Sequence, residues 1–406
     1  MTIHVLSCVA GSLPSALEGA AISPLSRVLL DCPEMPARQP SPAEQSLVDE
    51  VNRRLGTSLR PKQFERWRNA EYLRPLHREW RGRNGSSSSW DDELFAEALA
   101  LAAAKGKRIP LYGAALTVFV AGGPIGEVAV KRAYQQALDA TERFLRDDCD
   151  ADDPLEVARA VGPTMVKRLL RTKDGTRWKR RLAAAGKDPI ESLDRICEAM
   201  IAVALGGPVP AQAVVEDFLD ASGLAAAERE SFGGLGPWAK GLSSEPLGEG
   251  LRRFSIPAQR ALIEQTSFDD LCRARDSMKQ LVALISVFAP VVKETTQTRD
   301  ALGFAEFTYL DMDKQLPLLV PAVLIFEEMG FNVQRVVRLA KKFVPLYRAL
   351  RPLVQAMPRY LRRFLTPDGM SRLNLELPIR HEAFIRHLKK SVAEHPAEAE
   401  VVGAHK

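Results

Sequence analysis

Apolar side chains recur three or four residues apart along much of the chain, which is the spacing of an amphipathic helix. The first stretch with clear boundaries is EQSLVDEVNRRLG, which follows Ser41 and Pro42. A serine before a proline, with Glu44 three residues after the serine, is typical of a capping box at a helix start. Gly56 follows the last leucine and favours a helix end. The pattern predicts a helix from Pro42 that stops at Gly56.

A second short helix is predicted over PKQFERWRNAEYL, which follows the turn TSLR. Phe64 and Trp67 lie three residues apart, so together with Leu73 they are expected to face inward. Pro75 limits this helix at its C-terminal end.

The segment HREWRGRNGSSSS is predicted to be non-helical, because glycines and serines favour turns. After Trp90, the run DDELFAEALALAAAKG predicts another helix, with acidic residues in its first turn. From Pro110 onward Leu, Ala and Arg dominate and strand-like alternation is scarce. The predicted fold class is therefore mainly α.

Three later segments, 118–134, 203–219 and 326–343, share one layout. In each, an apolar helix end is followed by a glycine, a short turn and a new amphipathic helix, as in an αα-hairpin with a glycine C-cap. This shared layout has two explanations: an internal duplication, or the glycine-capped turn that commonly follows helices in unrelated segments. The whole chain is predicted to divide into an N-terminal arm at 1–40, a small domain at 41–110, helical domains at 111–235 and 236–390, and a tail at 391–406.

The composition is that of a protein with a buried core, since 46% of residues are hydrophobic and 26% are charged. No uninterrupted run of 18 apolar residues occurs, so no integral membrane association is expected. The five cysteines are isolated and odd in number, which favours free thiols in a reducing compartment. The N-terminus lacks the pattern of a signal peptide. These features predict a cytoplasmic protein.

Positive charge is concentrated between Arg53 and Arg83. Ten basic and three acidic residues lie in this window, so its net charge is 10 − 3 = +7, whereas the whole chain carries only +5. Such a patch on a nearly neutral protein indicates a polyanionic partner. A solvated basic face on a small structural subdomain is the alternative.

Two short helices joined by a tight turn suggest a helix-turn-helix, whose second helix enters the major groove of DNA. Its N-terminal half carries Lys62, Gln63 and Arg66. Gln63 and Arg66 lie three residues apart and are expected to project to one side, where glutamine pairs with adenine and arginine with guanine. Phosphate contacts are expected from the remaining basic residues of the turn and the loop, which are Arg60, Arg78, Arg81 and Arg83.

The stretch QFERWRNAEYLRP, the basic Gly-rich loop and the aromatic that opens an acidic helix resemble the winged helix-turn-helix of the MerR regulators. Phe64 and Trp67 match the family's packing positions, and Tyr72–Leu73 match its Leu-Leu helix end. Pro75 matches the proline before the wing, and Trp90 matches the aromatic after it. The resemblance covers about residues 41–105.

This resemblance implies an N-terminal winged helix-turn-helix, followed here by a large all-helical region. Two positions depart from the family: Glu71 stands where glycine is usual, and Ser88 stands where arginine is common. The expected partner is double-stranded DNA, the expected role is transcription regulation, and a homodimer would suit palindromic sites. No effector is predicted.

Two other basic segments, 165–187 and 333–365, each hold nine basic residues. The first contains KDGTRWKRR, which is predicted as a charged turn between helices. Either segment could add phosphate contacts or present a solvated helix face. A helical adaptor that binds an acidic protein or a membrane surface is therefore the alternative function.

Catalytic motifs such as GxSxG, a P-loop or GxGxxG after a strand are lacking. His381 and His387 are six residues apart, which does not suit two metal ligands on one helix face. The sequence predicts no catalytic residue, no metal and no cofactor.

Overall fold

The computed structural model describes residues 40–80, 83, 86–106, 109–146, 149–222, 250, 252–295, 312–330, 332–335, 337–338, 341–342 and 344. These residues are mainly α-helical. They fall into two compact units. The first comprises the described residues of 40–144 together with 260–270, and the second comprises the described residues of 145–259 and 271–344.

The first unit begins with two short helices, a two-stranded hairpin and three further helices. Their bounds are α1 Pro42–Leu55, α2 Pro61–Asn69, β1 His77–Trp80, β2 Ser86–Ser89, α3 Asp92–Ala104, α4 Leu111–Ala121 and α5 Glu127–Arg146.

Helix α1 has the predicted ends. The Ser41 hydroxyl accepts a hydrogen bond from the Glu44 N–H at 3.2 Å, and Gly56 adopts a left-handed conformation with φ of 63°. The Glu44 carboxylate contacts Arg68 of α2 instead of the Ser41 backbone. The Ser41 part of the predicted capping box therefore forms, whereas the Glu44 side chain links α1 to α2.

Helix α2 ends at Asn69, four residues before the predicted end at Leu73. The cause lies at Glu71, whose φ of 63° is left-handed and breaks the helical geometry. The Tyr72 N–H then donates to the Trp67 carbonyl at 2.8 Å, which folds the chain back onto the helix. The predicted inward positions are confirmed, because Phe64, Trp67 and Leu73 are all buried.

The segment after Pro75 forms an antiparallel hairpin. Strand β1 pairs with β2 in the register His77 to Ser89 and Trp80 to Ser86. Trp90 leaves the hairpin and packs against Phe95 of α3, with ring centroids 5.7 Å apart.

Aromatic packing closes the first unit with residues from much later in the chain. Phe119 of α4 packs edge-on against Tyr134 of α5 at 6.2 Å and also contacts Phe268 at 6.3 Å. The guanidinium of Arg260 binds the carboxylate of Asp139 at 2.7 Å, so 260–270 is held to α5 by polar contacts as well.

The second unit is described mainly as helices. Their bounds are α6 Pro154–Leu170, α7 Lys173–Ala184, α8 Pro189–Ala204, α9 Gln212–Ser222, α10 Ile256–Gln265, α11 Phe268–Thr295 and α12 Met312–Glu328, and α10 and α11 begin or end across the boundary between the units. Helices α6 and α8 pack along each other. The predicted turn KDGTRWKRR was wrong, because these residues lie within α7, where Trp178 and Leu182 supply a buried face.

The predicted glycine C-caps are confirmed at three helix ends. Gly122, Gly206 and Gly330 follow α4, α8 and α12 with φ of 81°, 88° and 82°. The predicted division into five segments stays a prediction. Its arm at 1–39, its tail and the expected connection near 230–249 lie outside the described residues.

Candidate nucleic-acid interface

Four of the ten basic residues between Arg53 and Arg83 are already neutralised by carboxylates. Arg53 and Arg54 bind Glu50 on the same helix, at 2.5 and 3.1 Å. Hydrogen bonds from Arg53 and then Arg54 lower the pKa of Glu50 from 4.5 to about 2. The two arginines share one carboxylate, so this triplet keeps a net charge of +1, less than the +2 of two unpaired arginines.

The other two neutralised arginines are Arg68 and Arg74. Arg68 is largely buried against Glu44. Arg74 contacts Glu93 at 2.9 Å and Glu97 at 3.1 Å, and the hydrogen bond to Glu93 is the largest cause of its raised pKa. The acids that neutralise these four arginines all lie outside the window whose charge was counted. The net charge of +7 therefore overstates the positive charge that is free to meet a partner.

The remaining basic side chains differ from these four in their ion pairing. In the described part of the window they are exposed, and none has a carboxylate within ion-pair distance; they are Arg60, Lys62, Arg66, Arg78 and Arg83. All five belong to the predicted DNA-binding set. Arg81, the sixth basic member of that set, lies outside the described residues.

The outer face of α2 is polar and positively charged. Lys62 and Arg66 are four residues apart and both exposed, and Asn69 continues the same face. Phe64 and Trp67 occupy the opposite, buried face, where their rings stack at 5.0 Å. The two aromatic residues therefore fix which side of α2 is turned outward.

Gln63 also has a role at the start of α2. It is only partly exposed, and its Oε1 accepts a hydrogen bond from the Arg60 N–H at 2.7 Å. The Gln63 N–H also donates to the Arg60 carbonyl at 2.9 Å. Gln63 thus caps the N-terminus of α2, and this bond uses one of the two lone pairs of its Oε1.

A groove brings part of the predicted set together. It lies between the N-terminal end of α2, the hairpin and the first turn of α5, and its wall includes Arg60, Lys62 and Arg78. Arg66 does not line this groove, whereas Lys62 and Asn69 do. The carboxylates of Glu65, Glu71 and Glu127 line it as well. The unpaired cations therefore occupy two adjoining surfaces.

Sequence reasoning missed two exposed residues beside these cations. Asn69 ends α2 on the face of Lys62 and Arg66, and its spacing of three residues from Arg66 and seven from Lys62 was the available signal. Trp80 ends β1 and is 78% exposed, whereas Trp67 is 6% exposed. The helical spacing from Phe64 predicted that Trp67 is buried, whereas no pattern in the sequence predicted that Trp80 is exposed.

Comparisons of the chain with protein-family models, with curated proteins and with solved structures gave no match. In the described ranges, no helix is long and apolar enough to cross a membrane. The same ranges contain no group of three or more His, Cys, Asp or Glu side chains that could hold a metal ion.

Proposed function

We propose that the protein is a sequence-specific regulator of transcription that binds double-stranded DNA. Two helices joined by a five-residue turn, then a hairpin and a third helix, give the order of elements found in a winged helix-turn-helix. This order supports the resemblance of residues 41–105 to the MerR regulators. In this proposal α2 is the recognition helix and the hairpin is the wing.

The observation that carries the proposal is the distribution of unpaired charge. Four arginines of the window pair with carboxylates of α1 or α3, whereas the described cations Arg60, Lys62, Arg66, Arg78 and Arg83 have no such pair. Intramolecular ion pairs leave little charge for an external anion. Exposed cations without an ion pair keep their charge available for an external anion, and they release counterions when they meet phosphates.

The proposed roles differ along α2. Arg66 stands near the middle of the outer face, where a guanidinium can donate to O6 and N7 of guanine. Lys62 lies one turn earlier, at the edge of the groove with Arg60, and contacts phosphates. Gln63 holds the start of the helix and supports recognition indirectly.

A dimer is part of the proposal because one helix of nine residues covers only a short site. Two copies related by a twofold axis would bind two half-sites about one turn of DNA apart, which is roughly 34 Å. The helical region beyond α4 would supply the contact between copies.

The test begins with a random duplex library from which the full-length protein enriches a preferred site. We expect Arg66→Ala to lose about 1–3 kcal/mol on that site and much less on a scrambled duplex. Lys62→Ala is expected to weaken both duplexes alike, since a phosphate contact carries no sequence information.

Arg53→Ala is the matched control, because Arg53 is equally basic and exposed but is paired with Glu50. It should leave the affinity for both duplexes nearly unchanged. Anionic vesicles are measured in parallel. Retention on vesicles without any preference among duplexes would contradict the proposal and favour the adaptor.

A further inference from the structure

The basic segment 165–187 of the second unit has no part in the proposed function. It holds nine basic residues and one acid, so its net charge is 9 − 1 = +8, whereas the whole chain carries +5. Helix α6 ends within this segment, Arg171 and Thr172 form a turn, and α7 follows from Lys173. As in the Arg53–Arg83 window, ion pairs determine how much of this charge can meet a partner.

Two cations of the segment are engaged within their own unit. Lys187 Nζ contacts Asp217 at 2.8 Å and Asp220 at 2.7 Å. Arg181 Nη1 donates a hydrogen bond to the carbonyl of Ala221 at 3.2 Å, in the last turn of α9. Both side chains are therefore turned toward α9.

Four other cations of the segment are exposed and have no ion pair with a carboxylate of the described residues. They are Lys167, Arg171, Lys179 and Arg180, and we call them the α6–α7 surface. Lys167 lies in the last turn of α6 and Arg171 caps that helix, while Lys179 and Arg180 lie in the middle of α7. The positive charge of these four side chains stays available for an external anion.

The buried face of α7 sets the direction of its two cations. Trp178 and Leu182 are buried, and Trp178 packs edge-on against Phe218 of α9, with ring centroids 5.8 Å apart. Lys179 and Arg180 follow Trp178 by about 100° and 200° around the helix axis, so they point away from this buried face.

The turn between α6 and α7 fixes the spacing of the four cations. The Thr172 hydroxyl accepts a hydrogen bond from the Gly175 N–H at 3.0 Å and donates one to the Leu169 carbonyl at 2.6 Å. Lys179 lies about 10 Å along α7 from Thr172, a length over which duplex DNA presents about six phosphates. Because the turn is already ordered, binding has no loop to immobilise.

The chemistry of this surface favours a duplex over other polyanions. A helix that lies on a membrane inserts apolar side chains beside its cations, but within the described part of 163–187 no large apolar side chain is exposed. Proteins that bind single-stranded nucleic acid stack bases on exposed aromatic rings, and the only aromatic residue of this segment, Trp178, is buried. The regular phosphates of a duplex require only cations.

We infer that the α6–α7 surface binds the phosphates of duplex DNA, as a contact of the second unit that adds to the contacts of α2. The inference rests on the proposed function. Phosphate contacts carry no sequence information, so this surface raises the affinity for the preferred site and for other DNA alike.

The experiment measures full-length Lys179→Ala/Arg180→Ala on the enriched and the scrambled duplex at several salt concentrations. Each lost phosphate contact releases about 0.9 fewer counterions, so binding should weaken about 10- to 60-fold on both duplexes at about 0.1 M salt. The magnitude of the salt slope should fall by about 2. The single variants should each lower it by about 1, and they test the inference if the double variant does not fold.

Two controls isolate the charge and its position. The swap Lys179→Arg/Arg180→Lys keeps both charges and should bind as the wild type does. Arg159→Ala removes an exposed cation, also without an ion pair, from the N-terminal half of α6. It should leave the salt slope unchanged, and a reduction equal to that of Lys179→Ala would show a general effect of net charge and refute the inference.

The outcomes separate the inference from the proposed function. If Lys62→Ala lowers the slope on duplex DNA but the double variant binds as the wild type does, the inference is wrong and the function stands. If the wild type shows no affinity for duplex DNA, both fall. A loss confined to the enriched duplex would mean that α7 reads bases, which overturns a phosphate contact. A loss on anionic vesicles or duplex RNA, with binding to duplex DNA unchanged, would identify a different partner and overturn the inference as well.

Discussion

Glu71 adopts a left-handed backbone conformation, with φ of 63°, immediately before the buried pair Tyr72 and Leu73. Within the described residues it is the only non-glycine with positive φ. The side chain of an L-residue in this region crowds the following carbonyl, at a cost of about 1–2 kcal/mol. The burial of Tyr72 and Leu73, which the turn makes possible, offsets this cost. The Tyr72 hydroxyl also donates a hydrogen bond to Gln136 Oε1 at 2.8 Å.

We expect Glu71→Gly to raise the free energy of unfolding by about 0.5–1 kcal/mol, since glycine removes the crowding but adds freedom to the unfolded chain. Urea denaturation of the full-length protein measures the change. Glu71→Ala is the control: it removes the exposed carboxylate, keeps the strained conformation and should give no gain. An equal gain from Glu71→Ala would show that the stabilisation comes from loss of the Glu71 charge and not from relief of the backbone strain.

Gly175 is required for a different reason. Gly175 lies in the first turn of α7, and a Cβ at this position would lie 2.1 Å from the carbonyl oxygen of Leu169 in the last turn of α6. At Gly186, φ is 76° and a Cβ would meet no atom within 4 Å.

Gly175→Ala is expected to cost about 3 kcal/mol or more, because backbone must move to admit a methyl group. Gly186→Ala should cost only about 1–2 kcal/mol, from the left-handed conformation alone. Thermal and urea melts of both variants give the comparison. Equal costs at the two positions would refute the steric explanation.

At the scale of elements, helix starts were the most predictable feature. Ser41 before Pro42 marked the start of α1, because a side-chain oxygen, a preset φ and a helical pattern all agree there. The buried face of α2 followed from the spacing of Phe64 and Trp67. The end of α2 did not, because a glutamate does not by itself favour a left-handed conformation, although the resemblance to the MerR regulators would place glycine at this position.

Residues whose role depends on a distant neighbour were not predictable. Glu44 was expected to complete a capping box but binds Arg68, and the cap that Gln63 provides for α2 was not predicted. The strand of four serines has no alternating pattern and exists through its pairing with His77–Trp80. In the candidate site, the cations themselves were predictable, whereas the ion pairs that neutralise their neighbours were not.

Asp217 ties three parts of the second unit together. Its carboxylate is 3% exposed on α9 and binds Lys187, after α7, and Arg195, on α8, each at 2.8 Å. Burial alone would raise the pKa of Asp217, but the hydrogen bonds from Lys187 and Arg195 outweigh it and hold the pKa below its ordinary value.

Because the folded pKa is lowered, the ionised carboxylate stabilises the fold above its unfolded pKa of about 3.9, and this contribution is lost as the pH falls through the folded pKa. Asp217→Asn should therefore cost about 2 kcal/mol at pH 7 and progressively less below about pH 4. Glu191→Gln is the control, since Glu191 binds Arg195 from an exposed position and should change stability by less than about 0.5 kcal/mol. A difference between wild type and Asp217→Asn that does not vary with pH would contradict the assignment.

At the scale of the whole molecule, the net charge of +5 does not describe how charge is distributed over the surface. Positive charge without a partner is confined, in the described part of the Arg53–Arg83 window, to α2, its preceding turn and the hairpin. A polyanion would therefore engage one side of the first unit.

If about six phosphates are neutralised per copy, the logarithm of the DNA association constant should fall with the logarithm of salt concentration at a slope near −5. Titrations at several salt concentrations measure this slope. Lys62→Ala should reduce its magnitude by about 1, whereas Arg53→Ala should leave it unchanged. A slope near zero would exclude a phosphate-tracking surface.

The contact between Phe119 and Phe268 has a consequence for synthesis. The first unit is discontinuous in sequence, and its aromatic core joins residues about 150 positions apart, which is a slow, non-local closure. A ribosome adds about 5–20 residues per second, so a nascent chain that has just released Phe144 waits roughly 6–25 s for Asp270. During that interval the α4 face that Phe268 will cover stays open to chaperones. The first unit would then be completed only after residues 145–259, which belong to the second unit, have been translated.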